Sequence, residues 1–280
     1  MQNNQSSLGL LVCGLALCLP LFGCAETPVP AGAPPAVVPS AAAATPVAVA
    51  PESALPDYRA IVDAPDRSAE DRALDAGRHP LELLQFAELR PGMKVAEIAA
   101  GGGYTTELLA RAVAPSGVVY GQNSKFILER FAEKPWSERL TKPVMKGVVR
   151  VDSDFSEPLP ATITGLDAVV NVLFYHDTVW QGADRVRMNQ SIFRALRSGG
   201  LYLIVDHSAR PGSGIKDAET LHRIEEQVVK DEITSAGFKL ARSADFLRSP
   251  SDTRDWSASP RVAGERRGTS DRFVLAFVKP

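Results

Sequence analysis

The chain has 280 residues, 45% of them apolar and 23% charged, and its 31 Lys and Arg against 33 Asp and Glu leave a formal net charge of −2. Such a balance supplies no basic field, which argues against a protein that holds nucleic acid by neutralising phosphates. The length suits one α/β domain of roughly 220 residues behind an N-terminal extension, with no need for a second catalytic domain.

Residues 1–24 contain no charged side chain. Within them Leu8 to Phe22 is an apolar run of about 15 residues, too short for an ordinary membrane span and fitting the h-region of a secretion signal. Leu21-Phe22-Gly23-Cys24 resembles the lipobox of bacterial lipoproteins, in which the cysteine is lipidated and becomes the mature N-terminus. On that reading the protein is exported and held on the periplasmic side of a bacterial membrane through Cys24. Simple signal cleavage and an uncleaved anchor stay open beside it. Cys13, Cys18 and Cys24 all lie in this leader, so the rest of the chain offers no disulfide, thiol nucleophile or thiolate ligand. Residues 25–56, dominated by Ala, Pro and Val, cannot bury enough surface to fold alone and read as a partly extended tether.

The folded domain is expected over 57–280. From Ser68 to Leu89, apolar residues such as Ala73, Leu74, Leu81 and Leu84 fall at helical spacing, interrupted around Gly77 to Pro80. Pro91-Gly92 is a turn, and Val95 to Ala99 is a short apolar run of the kind that forms a buried parallel strand. Gly101-Gly102-Gly103 then makes a tight turn into a helix over Tyr104 to Val113. Such a unit lets a nucleotide-like ligand lie against bare backbone near the first N–H groups of the helix. A purely structural strand-to-helix turn is the competing reading.

A second strand over Val118–Gly121 leads to a helix from Lys125 to about Phe131, and a third over Gly147–Val151 leads to Asp154-Phe155. Leu166–Leu173 is a fourth strand, Asp184–Leu196 an amphipathic helix, and Ser198-Gly199-Gly200 a helix stop before a fifth strand over Leu201–Val205. Alternating strands and helices imply right-handed crossovers and a parallel sheet covered on both faces. After a helix over about Lys216–Ala236 come two strand-like runs, Phe238–Phe246 and Arg272–Val278, separated by a loop rich in Ser, Pro, Asp and Arg. They are expected to pair as an antiparallel hairpin.

With that ending, the chain over about 68–280 is similar to the class I S-adenosylmethionine (SAM)-dependent methyltransferases. Their fold is Rossmann-like, a mostly parallel seven-stranded sheet with an antiparallel last strand and helices on both faces. More narrowly, Gly121-Gln122-Asn123, the run from Arg130 to Trp136, Val205-Asp206-His207 and Leu221-His222-Arg223-Ile224 resemble a group of bacterial predicted methyltransferases that often carry secretion leaders.

The resemblance implies SAM as cofactor and assigns its site. Glu97 would lie beside the methionine part of the ligand. Ala99, Gly101 and Gly103 stand at the three glycine positions of the motif, with Ala99 replacing the first. Gln122 and Asn123 occupy the place where an acid usually binds the ribose hydroxyls. Asp154 and Phe155 correspond to the adenine site. Asn171 to Asp177 closes the fourth strand at the edge where open α/β sheets bind ligands. At that edge either His176 or His207, with Asp177, serves as general base, or Asp177, Asp206 and His207 bind a divalent metal, or the histidines are structural. His222 and Arg223, on the expected helix, take solvent-facing or capping roles, and Trp136 and Trp180 pack near lids. The implied activity is methyl transfer to a small molecule. A binding or scaffold lipoprotein that kept the fold and lost catalysis is the alternative. A dinucleotide oxidoreductase is weaker, since Tyr104 stands where Gly-x-Gly-x-x-Gly needs its last glycine.

Overall fold

A computed structural model of the protein describes residues 54–280; the leader, Cys24 and the tether up to residue 53 lie outside the described residues. Three helices precede the sheet: α1 (Tyr58–Val62), α2 (Ala69–Arg78) and α3 (Pro80–Ala87). Ser68 starts α2 by accepting the Asp71 N–H at 3.1 Å, and Pro80, whose missing N–H costs nothing at a first helical position, starts α3.

The alternating part runs β1 (Lys94–Ile98), α4 (Tyr104–Val113), β2 (Val118–Asn123), α5 (Lys125–Ile127), a π-helical turn over Leu128–Ala132, α6 (Glu133–Leu140) and β3 (Val148–Asp152). It continues with β4 (Leu166–Val172), α7 (Asp177–Trp180), α8 (Arg185–Ala195), β5 (Leu196–His207), α9 (Glu226–Ser235), β6 (Lys239–Ala244) and β7 (Arg272–Val278). The seven strands form one sheet in the order β3-β2-β1-β4-β5-β7-β6. All neighbours are parallel except at β7, which runs antiparallel to both β5 and β6. Val95, Val169, Ile204, Phe273 and Phe277 of the inner strands are fully buried, as expected of strands covered on both faces. Among the described residues no helix is long and apolar enough to cross a membrane.

The fold class expected from the sequence is the one found, with three local differences. The helix after β2 extends through a π-helical turn to Leu140, which carries Trp136 into the core. Strand β5 begins at Leu196, so Ser198-Gly199-Gly200 falls inside a strand; a Cβ at Gly200 would meet the Leu166 carbonyl at 3.0 Å, where β4 and β5 shift register. The helix expected from Lys216 exists only from Glu226. Before it the chain is held by tertiary hydrogen bonds that outweigh helical periodicity: Ile224 N–H donates to the His207 carbonyl at 3.0 Å and Ala209 N–H to the Ile224 carbonyl at 2.9 Å. His222 sits there with φ +51°, a conformation no helix contains.

Candidate active site

The turn after β1 is built by its neighbours. Ala99, Gly101 and Gly103 all have positive φ, at +57°, +56° and +84°. The Ala99 N–H donates to Gln122 Oε1 at 3.1 Å, the Ala100 N–H to the Gln122 carbonyl at 2.8 Å, and the Gly101 N–H to Asn123 Oδ1 at 2.8 Å. Each side-chain nitrogen donates as well, Gln122 Nε2 to the Ser153 carbonyl at 2.8 Å and Asn123 Nδ2 to the Gly101 carbonyl at 3.1 Å. Both amide side chains are fully buried. They hold the turn in shape, so the amides expected at the ribose are already engaged within the protein. The turn therefore offers a ligand space more than hydrogen bonds: a Cβ at Gly101 would meet no atom within 4 Å.

Glu97 ends β1 beneath this turn, buried, and accepts a short hydrogen bond from the Thr106 hydroxyl of α4. Burial pushes its carboxyl up to about 7, against the lowering effect of the Thr106 and Thr105 hydroxyls and of the Arg78 and Arg139 charges. Arg139, on α6, escaped the sequence reading. Its Nε donates to the Gly102 carbonyl at 2.5 Å while Nη1 reaches Asp71 Oδ2 and Glu107 Oε2, each at 2.6 Å. One side chain thus clamps the glycine turn to α2 and α4.

At the ends of β4 and β5 the sequence-predicted histidines and acids do converge. Asp206 is fully buried and accepts from the His176 backbone N–H at 2.8 Å, from the His207 N–H at 2.8 Å, and from His176 Nδ1 at 2.7 Å. His176 Nε2 lies 3.0 Å from Asp177 Oδ1. Burial lowers the His176 pKa, but the Asp206 and Asp177 charges more than offset it and hold the imidazole up at about 10. For Asp177 burial is outweighed by the His176 charge and by hydrogen bonds from His176, His222 and Trp180, so its carboxyl stays well below the usual range. His207 behaves oppositely. Burial, then the neighbouring cations His176, Arg272 and Arg223, push its pKa well below the ordinary value, and its Nδ1 lies 2.7 Å from the Ser270 hydroxyl. The two rings, with centroids 5.6 Å apart, are thus pushed in opposite directions, His176 toward the cation and His207 toward the neutral form.

The metal set considered from sequence does not assemble: the Asp206 oxygens are spent on His176 and His207, and His207 Nδ1 is on Ser270. His222 takes part instead. Its Nδ1 lies 3.1 Å from Asp177 Oδ1 and 3.2 Å from His176 Nε2. Arg223 next to it is fully buried, bonded to Asp252 Oδ2 at 2.8 Å and to the Ser208 carbonyl at 3.0 Å. Both residues thus leave the solvent-facing roles expected of them. A signal was present in the sequence: His and Arg between Leu221 and Ile224 interrupt an otherwise apolar pair.

Glu97, Ala99, Gly101, His176, Asp177, His207 and His222 line one cavity of about 460 Å³. Asp154 and Phe155 line a neighbouring cavity of about 850 Å³, together with Ser124, Asp152 and Trp180. Phe155 of one cavity packs against Phe174 of the other, the rings tilted by 41° with centroids 4.6 Å apart. Gly103 and Asn171 face neither. Gly103 is packed under Trp136. Asn171 is fully buried next to Val172, which does line the smaller cavity, and successive strand residues point to opposite faces.

This is the fold of the class I SAM-dependent methyltransferases. A SAM-dependent methyltransferase from Aquifex aeolicus superposes with a TM-score of 0.53 at 16% identity, covering 80% of this chain and 99% of that one. The [4+2]-cyclase SpnF superposes with a TM-score of 0.52 at 16% identity, covering 76% of this chain and 81% of that one, so the fold alone does not fix the chemistry. In sequence, 114 residues are 34% identical to protein-L-isoaspartate O-methyltransferase of Aeropyrum pernix, a match that takes in 38% of this chain and 40% of the length of that relative. No family model matches the chain.

Proposed function

We propose that the protein transfers a methyl group from SAM to a small molecule, and that it works outside the cytoplasm, anchored through Cys24 with residues 25–56 as its tether. The observation that carries the reading is one cavity walled by a buried carboxylate, an open glycine turn and a neutral imidazole, namely Glu97, Gly101 and His207. The residues fit the cofactor in part. Glu97 has the charge for the ammonium end of its methionine portion, and the space at Gly101 admits it. Asp154 and Phe155 suit an adenine, as acceptor for its amine and cover for its ring. For the ribose no acid stands at 122 or 123; the larger cavity carries the carboxylates of Asp152, Asp154, Glu129 and Glu133.

When bound, SAM supplies a sulfonium methyl open to in-line attack. The chain supplies proximity and alignment in a walled cavity, and a proton acceptor for a substrate oxygen or nitrogen. His207 is that acceptor, because both ring nitrogens of His176 are engaged, Nδ1 by Asp206 and Nε2 by Asp177 and His222. Asp177 orients the imidazoles of His176 and His222.

Titrating the chain with SAM or S-adenosylhomocysteine while following thermal unfolding tests the binding. A ligand at 100 times its Kd adds about 2.7 kcal/mol of stability. No response to either at millimolar concentration ends this reading. The engagement of Gln122 and Asn123 in the turn favours one second reading, an exported scaffold with this fold and no turnover; tight SAM binding without methyl transfer to any acceptor would support it. For the anchor, labelled palmitate should enter the chain and be lost in Cys24→Ser.

A further inference from the structure

Three donor atoms on the cavity wall form a nearly equilateral triangle: His176 Nε2 to Asp177 Oδ1 is 3.0 Å, Asp177 Oδ1 to His222 Nδ1 is 3.1 Å, and His176 Nε2 to His222 Nδ1 is 3.2 Å. An ion with bonds of about 2.05 Å keeps its ligand atoms about 3.3 Å apart in a tetrahedron and about 2.9 Å apart across an octahedral face. The observed edges fall between these two values. We propose that His176, Asp177 and His222 form a binding site for a first-row transition-metal ion of the zinc class, open on its fourth side to the cavity.

The surroundings suit such a site. Asp206 accepts from His176 Nδ1 at 2.7 Å and from its backbone N–H at 2.8 Å, which fixes the ring with Nε2 toward the triangle. An outer carboxylate on the far nitrogen of a metal-bound imidazole is the usual support for such a ligand. Trp180 Nε1 donates to Asp177 at 2.8 Å and steadies the carboxylate. His222 reaches the triangle because the loop that bears it is pinned from both sides, by buried Arg223 on Asp252 and by the bridge of Ile224 to Ser208. Two nitrogens and one oxygen select zinc, cobalt or iron over magnesium or calcium, which prefer all-oxygen shells. Asp177 and Asp206 supply the negative charge. An ion there would face any substrate atom that enters the cavity. The site is defined without reference to SAM.

The test uses the full chain carrying Cys13→Ser, Cys18→Ser and Cys24→Ser, stripped by chelator and titrated with Co²⁺ by visible absorption without SAM. The expected result is one saturable ion per chain, displaced by Zn²⁺ and untouched by millimolar Mg²⁺. His222→Ala and Asp177→Asn should each weaken it at least about tenfold, and Asp206→Asn by roughly 10–100-fold, with the circular dichroism unchanged. His79→Ala, at the chain's fourth histidine, should bind as the parent does. Absence of saturable uptake by the parent overturns the proposal and leaves the triangle a hydrogen-bond cluster. Uptake that survives both His222→Ala and Asp177→Asn overturns it equally. Because no cofactor is present, failure of the methyltransferase reading would leave the result standing.

Discussion

Gly103 lies directly against the indole of Trp136: a Cβ added to the glycine would stand 2.6 Å from ring carbon Cζ3 and 2.7 Å from the Cδ of Arg139. The same indole crowds Gly121 at the end of β2, where a Cβ would come within 2.6 Å of Cη2. One glycine of the turn that suggests a ligand site and one glycine of β2 are thus shaped by the same fully buried tryptophan.

Gly103→Ala and Gly101→Ala should therefore fail differently. Both carry positive φ, so each costs about 1 kcal/mol or more in backbone strain. Gly103→Ala adds overpacking of about 1–3 kcal/mol, visible as a lower urea midpoint. Gly101→Ala meets no protein atom, so its urea midpoint should fall only by the backbone strain, less than that of Gly103→Ala, and it should lose SAM affinity in the same titration.

Glu97 makes the binding of SAM depend on pH. Its folded pKa, raised to about 7 by burial, exceeds the unfolded value, so the fold favours the protonated acid. The stability this gives is fully present below the unfolded pKa and is lost as pH rises through about 7, a change of roughly 3 kcal/mol. A cationic ligand needs the carboxylate, so SAM affinity should rise between pH 6 and pH 8. The Thr105 and Thr106 hydroxyls and the Arg78 and Arg139 charges face Glu97 throughout this range. Glu97→Gln should flatten both profiles in pH-resolved unfolding and binding titrations.

Asn123→Asp places an acid where the related fold usually binds ribose, yet it should not tighten SAM. The substitution removes the donor to the Gly101 carbonyl and puts a carboxylate oxygen beside it. A loss of about 1–3 kcal/mol in urea unfolding is expected, with SAM affinity unchanged or weaker.

Arg223→Ala should be among the most damaging single changes outside the sheet. It would leave Asp252 buried without its guanidinium, along with the Ser208 and Trp256 carbonyls that Arg223 now satisfies. Breaking such a pair from one side costs roughly 3–5 kcal/mol in denaturant unfolding. Hydrogen exchange should show the loop over 208–225 opening first.

The strands were legible because each is a short apolar run between turn residues, and β1, β4 and β7 lie within a residue or two of their expected bounds. Convergence of His176, Asp177, Asp206 and His207 was legible too, since strand ends of one parallel sheet meet at one edge. What escaped depends on side chains from distant segments. Arg139 reaches Gly102 across 37 positions, and His222 reaches His176 across 46. The run from Lys216 to Glu225 has helical spacing but forms turns that end in the bridge of Ile224 to Ser208, a pairing that local periodicity does not encode. Gln122 and Asn123 occupy ligand positions of the motif, and only the hydrogen-bond geometry separates holding a turn from holding a ribose.

Strand β7, formed by residues 272–278, sits between β5 and β6, so the sheet acquires an inner strand from the segment synthesised after all the others. Until it arrives, β5 has a bare edge along Leu201 to His207 and β6 has no partner. Ser270 and Arg272, which flank His207, come with it. The complete sheet and the Ser270 contact of the histidine pocket therefore both depend on the one segment from Ser270 to Val278.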